Sequence, residues 1–572
     1  MMRMDSLSSN QGVGPNERPS SVATDRGPLD SLSTAIPSVP PPWVSRAIIG
    51  FVGLGILMRV VRYLLNFPLW CDETMIAANF LDRGYADLFR PLDYRQVCPL
   101  LFLVIELTSV KLLGFSELTL RLFPALCGVA SVPLFRHFAG RLLSGVPLLL
   151  AVAVFAVSGW PLRYVAEVKP YASDLFVALV LLTLALEWWR DPSRSHWFWV
   201  LAGCAPIAVA LSYPAIFVAG GVGIGLLTAV WRSGRRGTWA AYLAFNLGAV
   251  ITFLVLLPFY KTAPQDHDYF HNAWAPAFPP LHSIPALIGW FFTVNTGHMF
   301  AYPEGGERGA SSLTFLCFVV ASVMLWRRGR KTVLAVCLAT FGLALVAAAI
   351  HRYPYGVSAR TMQYIVPIIC LFAGLGAATL LDALPGVSTR LRVLKGGVAA
   401  LAVLGFGHIG ADVSFPYKTA TDQRARAFAE WFWTDLGKHA ELACVREDLG
   451  VVFRPEHWKR DATDTYLCYQ KIYSPRHRRS APVRLDAVTE DHPLRCVLFN
   501  EMPQKTPEFQ RWMTGMLEHY DLRDFDKYSV SSLEKKLGPT WHSLYVVYEF
   551  VPKPGVAAPV SIGELERGTS RR

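Results

Sequence analysis

Charged residues are scarce in this 572-residue chain, at 17%, against roughly 25% in soluble domains. That shortage excludes a soluble enzyme of ordinary make-up, and the 52% of hydrophobic residues excludes a disordered chain. The ten cysteines show no CxxC or other metal spacing. A nucleotide-binding motif is missing, as is the internal repeat that marks many secondary transporters. The N-terminus lacks the layout of a cleavable signal, because the first apolar run starts only near Val44.

What the chain has instead is apolar blocks, with a mean hydropathy of +0.32. Each block is long enough to approach the ~30 Å hydrocarbon thickness of a bilayer. We read a polytopic α-helical membrane protein with about 11 transmembrane helices (11 to 13), near 44–65, 119–136, 143–160, 172–189, 197–212, 214–231, 239–260, 310–326, 333–350, 361–381 and 394–411. Two further segments, 99–113 and 281–298, are ambiguous. The net charge of +12 does not point to nucleic acid, since many Lys and Arg stand in short loops between apolar blocks. RHFAGR (136–141), RDPSR (190–194), WRSGRR (231–236), WRRGRK (326–331) and TRLRVLK (389–395) all fall on the cytoplasmic side if the two ambiguous segments lie in the interface. The N-terminus is then inside and the C-terminus outside, in an expected bacterial plasma membrane.

The expected organisation is a disordered cytoplasmic tail (1–42), rich in Ser and Pro, and a membrane module (43–411) with external loops 66–118 and 261–309. A soluble extracytoplasmic α/β domain (412–555) and a flexible tail (556–572) follow. Hydrophobicity drops after 411, and the runs CVLF (496–499) and YVVYEF (545–550) read as strands.

Four stretches concentrate reactive side chains on the predicted outer face. LWCDE follows the first span and brings Asp72 and Glu73 to the membrane edge, with Tyr85, Gln96 and Pro99 downstream in the same loop and Arg121 just inside the next span. RYVAEVKPYASDL (163–175) holds Glu167, Lys169, Tyr171 and Asp174, either as a functional set or as a structural pairing of Lys169 with Glu167 or Asp174. HRYPYGVSARTMQYIVP (351–367) contributes Arg352 and Arg360. DHDYFHNAW (266–274) has the ligand types of metal sites, Asp266, His267, Asp268 and His271, without a diagnostic spacing. Carboxylates and cations beside a lipid boundary suit transfer chemistry. A carboxylate takes a proton from a hydroxyl, and Lys and Arg steady a departing phosphate.

LWCDE, LGFSELTLRLFPAL, EVKPYASD and YPYGVSARTMQYIVP together resemble glycosyltransferase family 39, the protein O-mannosyltransferases and lipid A aminoarabinose transferases of the GT-C fold, over roughly residues 44–380. The resemblance implies inverting transfer of a sugar from a polyprenyl-phosphate donor to a hydroxyl acceptor (protein, lipid or glycan) at the outer surface of the lipid bilayer. It implies Asp72 as general base, with Glu73 assisting. Arg121, Lys169 and Arg360 would contact the lipid phosphate, and Glu167, Tyr171 and Asp174 would support them. Such a mechanism needs no nucleotide, and some members use a divalent metal. The competing readings are a transporter or flippase of a lipid-linked or anionic solute, a non-catalytic scaffold, and another GT-C enzyme such as an oligosaccharide ligase.

Overall fold

The computed structural model describes residues 41–260, 272–307, 309–435, 439–445, 449, 468–474, 483–499, 507–529 and 544–556. Most of the expected N-terminal tail, most of the C-terminal tail, and Asp266, His267, Asp268 and His271 lie outside the described residues.

The membrane module begins with α1 (Pro42–Leu64), whose Pro42 stands at the first helical position, where its missing N–H costs nothing. There follow α2 (Cys71–Asp82), α3 (Leu100–Leu113), α4 (Glu117–Gly140), α5 (Gly145–Val157), α6 (Gly159–Val165), α7 (Tyr171–Arg190), α8 (His196–Leu211), α9 (Ala215–Ser233) and α10 (Arg236–Leu256). Then come α11 (Ile284–Asn295), α12 (Ser312–Arg327), α13 (Lys331–Ala349), α14 (Val366–Asp382) and α15 (Val387–Ser414).

Each of the eleven expected spans overlaps one of these helices. Among the described residues, eight helical segments are long and apolar enough to cross a membrane, and α5 with α6 makes a ninth as one span bent by 46°. The expected spans at 197–212 and 310–326 correspond to α8 and α12, of 16 residues each. At 1.5 Å per residue these are only ~24 Å long, short of a full crossing. The ambiguous segments form α3 and α11, of 14 and 12 residues, shorter still.

Packing sorts the helices by exposure. α7 is buried on most sides, whereas α15 buries only Leu394 and Gly405. Close approach is bought by small residues. Gly376 of α14 lies against the backbone of α12, and a Cβ there would collide with the Cys317 carbonyl oxygen. Arg62 of α1 pairs with Asp412 near the end of α15, and this ties the first span to the last.

Beyond α15 a short linker, 415–419, leads into α16 (Ala420–Glu430), capped by the Thr419 hydroxyl, which accepts from the Asp422 N–H at 3.1 Å. The mixed sheet contains β1 (Glu441–Cys444), β2 (Leu494–Phe499), β3 (Tyr520–Ser529) and β4 (Leu544–Pro552), with α17 (Pro507–His519) between β2 and β3. The strand order is β1-β2-β4-β3, parallel between β1 and β2 and antiparallel elsewhere. Alternation along β1, β2 and β4 feeds two cores. Cys496, Leu498, Val546 and Tyr548 meet Phe509, Trp512 and Met516 of α17, while Val497, Tyr545 and Val547 meet Ala425, Phe428 and Phe432 on the α16 side. The C-terminal part is thus an α/β layer structure, and the two apolar runs read as strands are β2 and β4.

Candidate functional site

The ends of several helices converge around α2. Its first turn carries Asp72 and Glu73, which are neighbours in the chain but point into different surroundings. Asp72 lines a cavity of about 270 Å³ together with Cys71, Met75, Tyr94, Arg95, Gln96, Lys169, Tyr171, Trp274 and Arg360. Arg360 Nη1 donates to Asp72 Oδ2 at 2.8 Å, both side chains being about 30% exposed. The Trp274 ring covers the same guanidinium, 5.0 Å from its centre. Lys169 Nζ donates to Gln96 Oε1 at 2.6 Å. Three of the expected phosphate and base residues, Asp72, Lys169 and Arg360, therefore share one cavity with Tyr171.

One wall of that cavity is held in an unusual backbone. Tyr94 and Arg95 are consecutive non-glycine residues in the left-handed region, with φ of 59° and 57°, a conformation costing roughly 1–3 kcal/mol per residue. Hydrogen bonds hold it: Asn79 Oδ1 accepts from the Asp93 N–H at 2.9 Å, and Gln96 Nε2 donates to the Tyr94 carbonyl at 3.1 Å. Asp93 also pairs with Arg83 at 3.2 Å.

Glu73 turns away from the cavity and is fully buried. Arg121 grips it with two bonds, Nε to Oε1 at 3.0 Å and Nη2 to Oε2 at 2.9 Å. It also accepts from the Val168 N–H at 2.9 Å and from Lys418 Nζ at 2.6 Å. Burial alone would raise its pKa, but Arg121 and Lys418 outweigh that and hold the carboxyl below the usual range.

Arg121, expected at the lipid phosphate, is instead placed beneath α2. It is 0% exposed and spends its remaining donors on the Phe67 and Pro68 carbonyls. The Glu167 carboxylate likewise turns to other cations than Lys169. It takes Lys418 at 3.0 Å and Arg163 at 3.1 Å. Among the described residues neither Glu167 nor Asp174 makes an ion pair with Lys169. Asp174 sits buried in the first turn of α7. Arg352 does not line the cavity.

The residue that sequence reasoning passed over is Lys418. Its side chain is 2% exposed and lies between Glu73 and Glu167. The signal available was FPYKT directly after the last apolar block, but the drop in hydrophobicity there assigned it to the soluble domain. Arg426 and Tyr473 were passed over too; they converge on Glu117, at 3.0 and 2.6 Å.

Among the described residues no group of three His, Cys, Asp or Glu is assembled, and Glu73, the carboxylate next to Asp72, is occupied by two cations and two N–H groups. Any role for Asp266, His267, Asp268 and His271 falls outside the described residues.

No protein-family model matches the chain and no curated protein matches it. Several solved structures are similar in outline. ArnT from Cupriavidus metallidurans bound to undecaprenyl phosphate has a TM-score of 0.47 at 13% identity, with 90% of this chain and 99% of that one covered. The apo state of the same protein gives 0.48 at 13%, covering 87% and 98%. The apo oligosaccharyltransferase of Archaeoglobus fulgidus gives 0.45 at 10%, covering 90% and 75%.

Proposed function

We propose that this chain is an inverting membrane glycosyltransferase of the GT-C type, moving a sugar from a polyprenyl-phosphate donor to a hydroxyl acceptor. The observation that carries this reading is the cavity in which a carboxylate, Asp72, faces Arg360 at 2.8 Å with Lys169 and Tyr171 on the same walls. Asp72 takes the proton of the acceptor hydroxyl. The acceptor oxygen bonds to the anomeric carbon as the bond from that carbon to the phosphate oxygen breaks, which inverts the centre. The electron pair leaves on the lipid phosphate, where Lys169 and Arg360 supply the positive charge. Arg360 is held by Asp72 in this state, so an arriving phosphate competes for it and frees the carboxylate to act as base.

The extracytoplasmic placement of the site is part of the same proposal. The basic segments 136–141, 190–194 and 389–395 stand at the ends of α4, α7 and α15 opposite to those that border the site. If basic loops mark the cytoplasm, the cavity and the C-terminal α/β domain face the other side. A bacterial plasma membrane suits that arrangement. A solute transporter is the second reading, favoured by the 46° break between α5 and α6, since broken helices line transport sites.

The deciding experiment uses purified full-length protein in lipid nanodiscs with a panel of synthetic polyprenyl-phosphate sugars, alone and with hydroxyl acceptors. Sugar release or transfer by wild type that collapses in Asp72→Asn is the expected result. Equal turnover by both would remove Asp72 as base. Failure to bind any donor would favour transport instead.

A further inference from the structure

The buried lysine between two carboxylates lies outside the module that the sequence marks as catalytic. Lys418 sits in the 415–419 linker, four residues past the end of α15 and just ahead of α16. Its ammonium reaches Glu73 Oε2 at 2.6 Å and Glu167 Oε1 at 3.0 Å, and lies over the Trp70 ring at 5.6 Å. These partners belong to the two segments that present the cavity's working side chains. Glu73 directly follows Asp72. Glu167 stands two residues before Lys169, whose own N–H donates to the Glu167 carbonyl at 2.8 Å.

The chain around Lys418 is seated on the same region by further contacts. Arg426 Nη1 bonds the Asn66 carbonyl at 3.0 Å and pairs with Glu117 at 3.0 Å. Tyr473 donates to Glu117 at 2.6 Å, and the Tyr469 hydroxyl donates to the Leu69 carbonyl. The 66–70 segment, which leads into α2, is therefore gripped from above by the C-terminal chain and from below by Arg121, through the Phe67 and Pro68 carbonyls.

We propose that Lys418 is a positioning residue: by bonding both the Asp72 turn and the Lys169 segment, it makes the seating of the C-terminal domain a condition for a working cavity. The domain is then part of the catalytic assembly rather than an appended acceptor-binding module. An ammonium suits this place because it must meet two carboxylates on separate segments, and its three donors allow that without a fixed plane. Arg163 cannot replace it, since it reaches Glu167 but not Glu73 in the described geometry.

The kinetic part of the test rests on the glycosyl-transfer reading; the structural part does not. Full-length wild type, Lys418→Met and Lys418→Arg are compared in nanodiscs, after a check that each is monodisperse. The expected result for Lys418→Met is a fall in kcat of about 100-fold, the scale of a small misplacement of reacting groups, with donor KM within about twofold. Lys418→Arg recovers only part of that loss, because the charge is restored but the planar guanidinium meets the two carboxylates less freely. Turnover of Lys418→Met equal to wild type, or a rise in KM with kcat kept, overturns the proposal while leaving the transferase reading intact. If wild type neither binds nor turns over any donor, the transferase reading fails and hydrogen exchange decides the rest. Faster exchange in Lys418→Met at both 71–76 and 163–170, including the Val168 amide, upholds the coupling; unchanged exchange at both overturns it.

Discussion

Arg360 and Asp72 stand 288 positions apart in the chain and meet at 2.8 Å across one cavity wall. The contact neutralises the proposed base in the resting state and ties the start of α2 to the entrance of α14. A group that is both held and partly exposed is suited to be exchanged for a ligand.

From that pair comes the first prediction. Asp72→Asn keeps the shape and an acceptor oxygen for Arg360 but cannot take a proton. Turnover in nanodiscs should fall by roughly 10²–10⁴-fold, with donor binding kept. Arg360→Gln should weaken donor binding as well, so saturation curves of the two variants should differ in kind.

Glu73→Gln should behave as a stability variant first. It leaves the Arg121 guanidinium, 0% exposed, and the Lys418 ammonium, 2% exposed, short of a charge they are built around. Removing one partner of a buried pair typically costs about 3–5 kcal/mol. A clearly lower thermal midpoint than that of Asp72→Asn is expected by fluorescence-detected size exclusion, and equal midpoints would contradict the placement of Glu73.

Two carboxyls outside the spans give pH dependences of opposite sign. Glu73 is held below the usual range, so its contribution is complete above about pH 4.3 and is lost as pH falls further. Asp422 is pushed up to about 6, mainly by burial. Its contribution is complete below its unfolded value of about 3.9 and is lost as pH rises through 6. Unfolding midpoints should therefore rise from pH 7.5 to 5 and fall again towards 3.5. Asp422→Asn should remove the rise, and Glu73→Gln should reduce the fall.

Gly376→Val tests the bundle rather than the site. A side chain at this position collides with the Cys317 backbone, and overpacking of that kind costs about 1–3 kcal/mol. A lowered midpoint with the cavity residues intact is the expected outcome.

The spans were legible in the sequence because a bilayer core demands long apolar runs, and helix is the local answer to that demand. Asp72, Lys169, Tyr171 and Arg360 were legible as a set for a related reason: alternating crossings return every second loop to the same side. What the sequence did not show was which cations work inward and which outward. Arg121 reads as a ligand for phosphate from its place at the start of α4, and its partner Glu73 lies 48 positions away, with nothing local to link them. Lys418 was hidden by the opposite error. A boundary drawn on hydropathy placed it in a separate domain, although a buried lysine needs carboxylates and the two it meets were both already singled out.

The pairing of Arg62 with Asp412 has one more consequence. α15, with 28 residues, is ~42 Å long, some 12 Å more than a typical hydrocarbon core. Such mismatch is relieved by tilting, and the pin to α1 sets the pivot six residues before Lys418. A change in acyl-chain length then swings the far, basic end of α15 through the headgroups while the end beside the cavity stays still. Wild-type turnover should be indifferent to whether the surrounding lipids are short or long, and loosening the pivot with Asp412→Asn should make turnover follow bilayer thickness.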